Sequence, residues 1–349
     1  MENDANFELP DNLFVRHRLH QEGKLHFRLD KTFRQDLIAP HTGGVELPLP
    51  ESSPLTLWET KALVAYYSQL ISHFPDRLRA EQLMLLCERL AALARQSRDG
   101  VVAAIMLCPW HNYVAHHAIN AALLACLLGD ALQLAAEEHQ MLMLAALTMN
   151  LGAIALHNET AQQEGPLSTR QRQLLDIHPI VSSALLREAG FDEERLHRLV
   201  LTHHERHDGH GYPFRMKGAD IFPLGHLLHV LDVTIAKLMP RSYRQGMPAQ
   251  RALAQLYTNA NEQFDPSYIT QLVKVLGVYP SGSFVKLTTG ETAIVVAQTN
   301  HIHEPQVATP QGRYSLISLA TAGQYIARSV AVKVEERHLP RLAPFWSLQ

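Results

Sequence analysis

Histidine is the residue type whose abundance points to chemistry in this chain. There are 21 histidines among 349 residues, and many of them fall between His111 and His229. Imidazole binds transition metals and titrates near neutral pH, so this concentration makes a metal site the first hypothesis to consider. The alternative is a set of solvated helix residues. We assign that role to His139, His157 and His197, because charged or polar residues flank them.

Polar groups of four short segments could meet at one place. The segments contain His116 and His117, His178, the run His203-His204-Glu205, and Asp232. Asp232 is the most informative because it interrupts the apolar stretch HLLHVLDVTIA, and a buried aspartate is costly unless it is paired or bound to a metal. Each group alone would more often be a hydrogen-bonded core residue. Together, on predicted helices of one domain, they indicate a shared site.

The loop after the histidine pair has the sequence HHERHDGHGYP and runs from His203 to Pro213. Two glycines and a proline let the backbone turn sharply beside the site and present Tyr212 towards a ligand. As an eleven-residue string, this loop resembles the HD-GYP family, the metal-dependent phosphodiesterases of cyclic di-GMP within the HD phosphohydrolase superfamily.

The resemblance extends beyond the loop and covers roughly residues 112 to 300. The other matching segments are the helix that starts HAIN at His117, Gly165 to Ser168, His178-Pro179, Asp232, Arg241 to Arg244, Phe264 to Pro266, and the start of the tail at Tyr279. The family's usual proline in the arginine segment is Ser242 here. The resemblance does not reach the N-terminal segment.

The resemblance implies a bacterial signalling protein with an HD-domain-like helical bundle. It implies that His178, His203 and His204 form one half of a metal site, and that Asp232 and His117 remain from the other half. It also implies that cyclic di-GMP, or a related cyclic dinucleotide, is contacted through its guanine and phosphates. The residues at those contact positions are Tyr212, Arg241 and Arg244. Arginine suits phosphate through its planar fork of donors.

One segment departs from the family pattern. The family has the string alanine-leucine-leucine-histidine-aspartate-isoleucine-glycine-lysine, and here Met149, Asn150 and Ala153 replace its histidine, aspartate and lysine. In the family that aspartate bridges two metals, which activate a hydroxide. Asparagine offers one neutral oxygen, and methionine offers a soft thioether that suits iron or manganese poorly. We therefore expect a degenerate site without an intact catalytic set.

Two states of this site stay open at the level of sequence. The three imidazoles of His178, His203 and His204 could hold one divalent ion, iron, manganese or zinc, with water completing its shell. The alternative is a metal-free, hydrogen-bonded histidine cluster.

Three functions are compatible with these residues. The first is a binding module that keeps its contacts to cyclic di-GMP and regulates a protein partner. The second is an active metal-dependent phosphodiesterase with a non-standard metal site. The third is an interaction scaffold that has lost both ligand and metal. The intact loop favours the first over the third, and the missing bridging carboxylate favours the first over the second.

Apolar residues at helical spacing predict a mainly α chain, with the helical domain over residues 54–278. Its expected central helices are Asn112 to Leu128 and Leu132 to Met149, and a capping-box pattern at Ser168 predicts the start of another helix. A final helix is expected after Asp265-Pro266, with proline in the first turn.

The two flanking segments differ from this domain. Residues 1–53 are predicted to be mixed and partly extended, with strands at Leu13 to Val15 and Leu25 to Leu29. Residues 279–349 are predicted to be a small β-rich domain, because β-branched runs alternate with turn residues. The strands expected there are Ser283 to Leu287, Thr292 to Ala297, Tyr314 to Leu316 and Val330 to Val334.

Composition sets the class of protein. The apolar fraction of 46% is enough for a sizeable core. A net charge of -3 and a pI of about 6.7 give no reason to expect DNA as a partner. No uninterrupted apolar run reaches the ~18 residues that favour membrane insertion, and the N-terminus lacks a signal-peptide pattern. We therefore expect a cytoplasmic protein, whose three cysteines are reduced core residues.

Overall fold

The computed structural model describes residues 19–23, 26–29, 47–72, 79–258, 264–301, 303–311 and 313–348. The described chain is mainly helical, with a C-terminal antiparallel sheet, as the sequence predicts. The helices of the bundle are α1 Thr56–Ser72, α2 Ala80–Gln96, α3 Arg98–Leu107, α4 Tyr113–Ala131, α5 Ala136–Thr148, α6 Ile154–Thr160, α7 Thr169–Glu188, α8 Glu194–Thr202, α9 Pro223–Leu238, α10 Ala249–Thr258 and α11 Pro266–Leu276.

Helices α4 and α5 form the centre of the bundle. The side chains of α4 are buried almost all round, which is the pattern of a helix surrounded by other helices. By length and composition, α4 and the stretch Ala136–Thr160 could each cross a membrane. The apolar windows of the two are 89% and 72% buried inside the protein, however, which makes them weak evidence for a membrane span.

The predicted helices of this centre differ from the observed ones mainly at their starts. The helix expected from Leu132 begins instead at Ala136, after a turn in which Gln133 has a positive φ of 54°. The Ser168 capping box is present, because its hydroxyl accepts from the backbone N–H of Gln171 and the Gln171 side chain accepts from the N–H of Ser168. Helices α3 and α6 were not predicted, since short segments carry too little periodicity.

Two small sheets flank the bundle. Strands β1 Leu19–Gly23 and β2 His26–Leu29 form an antiparallel hairpin, and Phe27 of β2 joins the helical core. The predicted strand at Leu25 to Leu29 overlaps β2, whereas the strand predicted at Leu13 to Val15 lies outside the described residues.

The C-terminal sheet has five strands, β3 Phe284–Leu287, β4 Thr292–Ala297, β5 Gln306–Gln311, β6 Arg313–Ser318 and β7 Ile326–Val330, with a short helix α12 Leu319–Ala322 before the last strand. They are antiparallel and lie in the order β6-β5-β4-β3-β7. The sequence predicted β3, β4 and β6 but missed β5, whose Pro310 argues against a strand. The strand predicted over Val330 to Val334 ends at Val330 instead of starting there.

The last residues of the chain connect this sheet to the bundle. After the short helix α13 Leu339–Leu342, Trp346 is buried and its indole N–H donates to the carbonyl of Val296 in β4. The carbonyl of Trp346 accepts from the hydroxyl of Thr56 in α1 over 2.8 Å. The C-terminal segment therefore contacts both layers at once.

This arrangement predicts that Trp346→Ala destabilises the protein by about 3–5 kcal/mol, since a buried indole is lost from a packed interface. Urea unfolding followed by circular dichroism measures the change. Phe345→Ala is the matched control, because the adjacent ring is only half-buried and its loss is expected to cost less. Equal effects of the two substitutions would contradict the connecting role of Trp346.

Candidate metal and ligand site

Five helices bring the polar groups of the site together. His117 lies in the second turn of α4, His178 in the middle of α7, and Asp232 in the middle of α9. His203 and His204 follow the last residue of α8 directly. Met149 and Asn150 follow the end of α5. Each of these side chains is buried or nearly so, so their polar atoms must find partners inside the protein.

Three imidazoles form the tightest group among the described residues. One nitrogen from each of His178, His203 and His204 lies within 4.8 Å of the others. The Nε2 atoms of His178 and His203 are 3.2 Å apart. The ring centroids of His203 and His204 are 4.1 Å apart. Three imidazoles this close together could hold a single metal ion.

The backbone fixes which nitrogen of two rings carries the proton. The Nδ1 of His178 contacts the carbonyl of Leu175 at 2.6 Å, and the Nδ1 of His203 contacts the carbonyl of Val200 at 2.7 Å. A carbonyl only accepts, so both Nδ1 atoms donate and both Nε2 atoms carry lone pairs. Two lone pairs at 3.2 Å repel each other, so this contact is not an ordinary hydrogen bond. A cation between them would remove the repulsion.

A second group of polar atoms lies beside this trio. The Nε2 of His117 is 3.4 Å from Oδ1 of Asp232, and the Nδ1 of His204 is 4.0 Å from Oδ2. The Asn150 side chain lies close enough to the same carboxylate to influence its pKa. Burial raises the pKa of Asp232, and the neighbouring His117 and Asn150 oppose that effect. Asp232 is therefore the anion that His117, His204 and Asn150 share.

Several atoms of the site have no hydrogen-bond partner although they are shielded from solvent. They are Nε2 of His204, Nδ1 of His117 and Oδ1 of Asn150. Such orphaned atoms cost about 1–3 kcal/mol each and call for an explanation. A metal ion held by the trio would account for the His204 nitrogen. The residues present thus fit one ion beside His178, His203 and His204.

Methionine at position 149 packs as a core residue. Its side chain is fully buried in the helical core, while its carbonyl accepts from the Ser182 hydroxyl over 2.8 Å. The turn that follows approaches α7 closely, because a Cβ at Gly152 would lie 2.6 Å from the carbonyl of His178. Ala153 is buried and offers no charge. Met149, Gly152 and Ala153 therefore offer neither an imidazole nor a carboxylate to the site.

A buried glutamate holds the loop that follows the histidine pair. Glu205 is fully buried and accepts from the backbone N–H groups of Phe214 and Met216 at 2.6 and 2.9 Å. Burial raises its pKa to about 7, which these N–H groups oppose. A Cβ at Gly211 would lie 2.5 Å from the carbonyl of His204, so only glycine lets the loop return this closely. Sequence reasoning missed the role of Glu205.

The folded loop places Tyr212 against the metal trio. Its ring stacks on His204 with centroids 4.6 Å apart and planes 29° apart, and it lies 6.2 Å from the ring of His178. The Arg172 guanidinium covers the same ring at 5.7 Å. Tyr212 is therefore a direct neighbour of the candidate metal site.

The two arginines line a separate cavity of about 500 Å³. Arg241 lies 5.8 Å over the Tyr113 ring and donates to the Tyr243 hydroxyl, and Arg244 donates to the carbonyl of Ala236. Trp110 and Lys333 line the cavity as well, and none of its described lining residues is acidic. Tyr212 is not part of this lining. The structure thus brings Tyr212 to the histidines and the two arginines to the neighbouring cavity.

Four histidines correct the sequence interpretation. His139 was expected to be solvated, but its side chain is only 16% exposed and its Nε2 lies 3.0 Å from the carbonyl of Cys126. His197 was expected to be solvated but is fully buried, with its nitrogens 2.9 Å from the Ser183 hydroxyl and 2.7 Å from the Phe191 carbonyl. His157 was also expected to be solvated, but it is half-buried and contacts His178 edge to face at 5.5 Å. His116 does not join the site and lines the arginine cavity instead. Helical spacing next to buried leucines was the available signal for His197.

Comparisons with known proteins identify the family of this chain. A sequence model of the HD domain family matches residues 82–268, more than half of the chain. A cyclic di-GMP phosphodiesterase from Pseudomonas aeruginosa is 26% identical over 226 residues, which are 65% of this chain and 53% of that protein. The cyclic di-GMP phosphodiesterase response regulator RpfG from Xanthomonas campestris is 30% identical over 190 residues, 54% of this chain and 47% of that protein.

A solved structure supports the fold. An HDG"Y"P protein from Bdellovibrio bacteriovorus superimposes with a TM-score of 0.53 at 16% identity, over 63% of this chain and 72% of that chain. Fold and site together define a helical domain with a buried histidine and aspartate cluster. The chain belongs to the HD domain family and, within it, to the HD-GYP group. It spans about half the length of the curated relatives named above.

The buried histidines predict acid sensitivity of the protein in the presence of a chelator. Burial lowers the pKa of His116 and His226 to about 4 and of His178 and His203 to about 3. Below about pH 6.5 the unfolded chain takes up protons at these residues and the folded protein does not, so the free energy of unfolding falls. At about pH 5 each such histidine costs on the order of 2 kcal/mol.

Urea unfolding at a series of pH values measures this slope. His116→Gln is expected to lower the number of protons taken up on unfolding by about one per molecule, which makes this slope shallower. His111→Gln is the control, since the His111 side chain is 79% exposed. A stability that stays constant between about pH 7 and pH 5 would show that these imidazoles are not shielded from protons.

Proposed function

We propose that this protein is a regulatory module that binds cyclic di-GMP, or a related cyclic dinucleotide, and whose phosphodiesterase activity is lost or weak. The observation that carries the proposal is the contrast inside one site. The trio of His178, His203 and His204 is assembled for an ion, whereas the adjoining positions hold Met149 and Asn150. The similar proteins from Pseudomonas aeruginosa and Xanthomonas campestris are cyclic di-GMP phosphodiesterases, which supports a cyclic dinucleotide as the ligand.

One divalent ion, iron, manganese or zinc, would be held by His178, His203 and His204. When bound, such an ion lowers the pKa of a coordinated water towards neutrality. Asp232 and His117 lie beside the trio and orient each other through their 3.4 Å contact. The two Nδ1–H groups that donate to the Leu175 and Val200 carbonyls keep the ligand nitrogens unprotonated.

Electrostatics argue against a second ion. Two adjacent divalent cations repel each other, and a bridging carboxylate offsets that repulsion better than a neutral amide does. Asn150 brings a neutral amide close to Asp232, and Met149 is packed into the core. Asp232 is the carboxylate of this group, and burial already disfavours its charge. A pair of metal ions that would hold the attacking and leaving oxygens therefore lacks the carboxylate that would bridge it.

The ligand contacts are assigned to Tyr212, Arg241 and Arg244. The cavity that the two arginines line carries cations without a neutralising carboxylate in its described lining, which suits phosphate. Tyr212 stacks on His204 at the edge of the metal trio and offers an aromatic face for a guanine. A dinucleotide would have to reach from the cavity to this ring.

The alternative is an active phosphodiesterase with a non-standard metal site. The assembled trio favours it, because a lone ion could still acidify a water. We also propose a cytoplasmic location and a protein partner, since a ligand-binding module without turnover acts through another molecule.

The ligand proposal predicts that Arg241→Ala weakens binding of cyclic di-GMP roughly 10- to 100-fold, the loss expected for a charge-assisted contact to phosphate. Calorimetry measures the affinity. Arg95→Ala is the matched control, because Arg95 is an exposed arginine at the end of α2. Equal affinity of the parent and Arg241→Ala, or binding by neither, would refute the assignment.

The catalytic proposal predicts slow or undetectable hydrolysis by the parent protein. Combining Met149→His with Asn150→Asp is expected to raise the rate roughly 10²- to 10³-fold, since a preorganised electrostatic contact is of that size. Product formation from cyclic di-GMP with manganese, iron or zinc measures it, and adding His178→Ala should abolish the gain. A parent turnover of about one per second, typical of working enzymes, would overturn the regulatory role and favour the alternative.

A further inference from the structure

A fourth imidazole lies beside the metal trio. His157 is in the short helix α6, and its ring contacts the ring of His178 edge to face, with centroids 5.5 Å apart and planes 82° apart. Its Nε2 is shielded from solvent and has no hydrogen-bond partner. The HD-GYP resemblance gives this position no role.

His197 is a buried histidine in the opposite state. Both nitrogens of His197 have partners, the Ser183 hydroxyl and the Phe191 carbonyl. An unpartnered buried nitrogen costs about 1–3 kcal/mol, and burial without a partner is rare. The Nε2 of His157 therefore lacks a partner inside the protein, and the ring in contact with it is that of His178.

The position of α6 explains why this segment can supply a ligand. The helix follows Met149 and Asn150 after a single turn, Leu151–Ala153, so it starts beside the two positions that lack ligands. The side chain of Asn158 accepts from the backbone N–H of Val114 over 3.2 Å and ties α6 to α4. His157 is therefore held next to the site by its neighbour in sequence.

We propose that His157 is a fourth ligand of the single metal ion, which makes a site of four imidazoles with His178, His203 and His204. This inference rests on the proposed single-metal site. His157 is outside the group whose nitrogens lie within 4.8 Å of one another, so its side chain has to turn inward when the ion binds. Four imidazoles favour a tetrahedral ion of borderline softness, Zn²⁺ rather than Mn²⁺.

The test compares Zn²⁺ binding by the full chain and its variants, measured by competition with a chromogenic chelator. His157→Ala is expected to weaken binding roughly 100-fold, at the upper end of the loss seen when the support of a metal ligand is removed. His116→Ala is the matched control: His116 is a buried histidine whose Nε2 also lacks a partner, but it faces the arginine cavity. Its affinity should equal that of the parent.

Two further measurements count the ligands directly. X-ray absorption of the zinc-loaded protein should give four imidazoles for the parent and three for His157→Ala. The cobalt-loaded parent should show the intense visible bands of a tetrahedral ion, and these bands should shift in wavelength in the variant, where a water replaces the fourth imidazole. Urea unfolding of both proteins with a chelator present checks that the fold is intact, and His157→Cys, which keeps a metal-binding side chain, should restore most of the zinc affinity.

The outcomes separate this inference from the proposed function. If the parent binds Zn²⁺ and both His157→Ala and His116→Ala bind it equally well, with three imidazoles throughout, His157 is not a ligand and the trio stands alone. If the parent binds no Zn²⁺, Co²⁺ or Mn²⁺, the single-metal site itself is refuted, and His157 with it. If His203→Ala loses zinc and His157→Ala weakens zinc binding as expected, both the single-metal site and the assignment of His157 as a ligand are supported.

Discussion

Two imidazole nitrogens facing each other across 3.2 Å are the contact on which the site depends. Backbone carbonyls fix the protons of His178 and His203 on the far side of each ring, so the facing atoms both carry lone pairs. Apolar packing of α7 and α8 into the bundle holds this repulsive pair in place. Such an arrangement is costly in isolation and becomes favourable with a cation, which couples stability of the fold to binding.

The loop after α8 turns this metal geometry into a binding surface. Glu205 is buried beneath the loop and accepts from its backbone, while Gly211 allows the return towards His204. As a result, Tyr212 stacks on a residue that is itself a candidate ligand. The aromatic ring and the metal trio are therefore in direct contact.

The C-terminal sheet contributes to the other half of the surface. The cavity lined by Arg241 and Arg244 is closed on one side by residues after β7, including Lys333. Trp346 and Thr56 join that same tail to α1. Because the wall of the cavity comes from two layers, its shape depends on how firmly the sheet is attached. This gives the tail a physical connection to the charged residues that we assign to phosphate binding.

Local sequence determined the helical class, the β-rich tail, the cap at Ser168 and the segments that carry His178, His203, His204 and Asp232, since periodicity, capping and buried charge are local signals. The family pattern added which positions lack a ligand. Only the tertiary structure decided the rest. Contacts between segments distant in sequence decide four features of the site. They are the burial of His197, the ring contact of His157 with His178, the position of His116 in another cavity, and the role of Glu205. Residue spacing within one helix carries no information about which neighbour its polar face will meet.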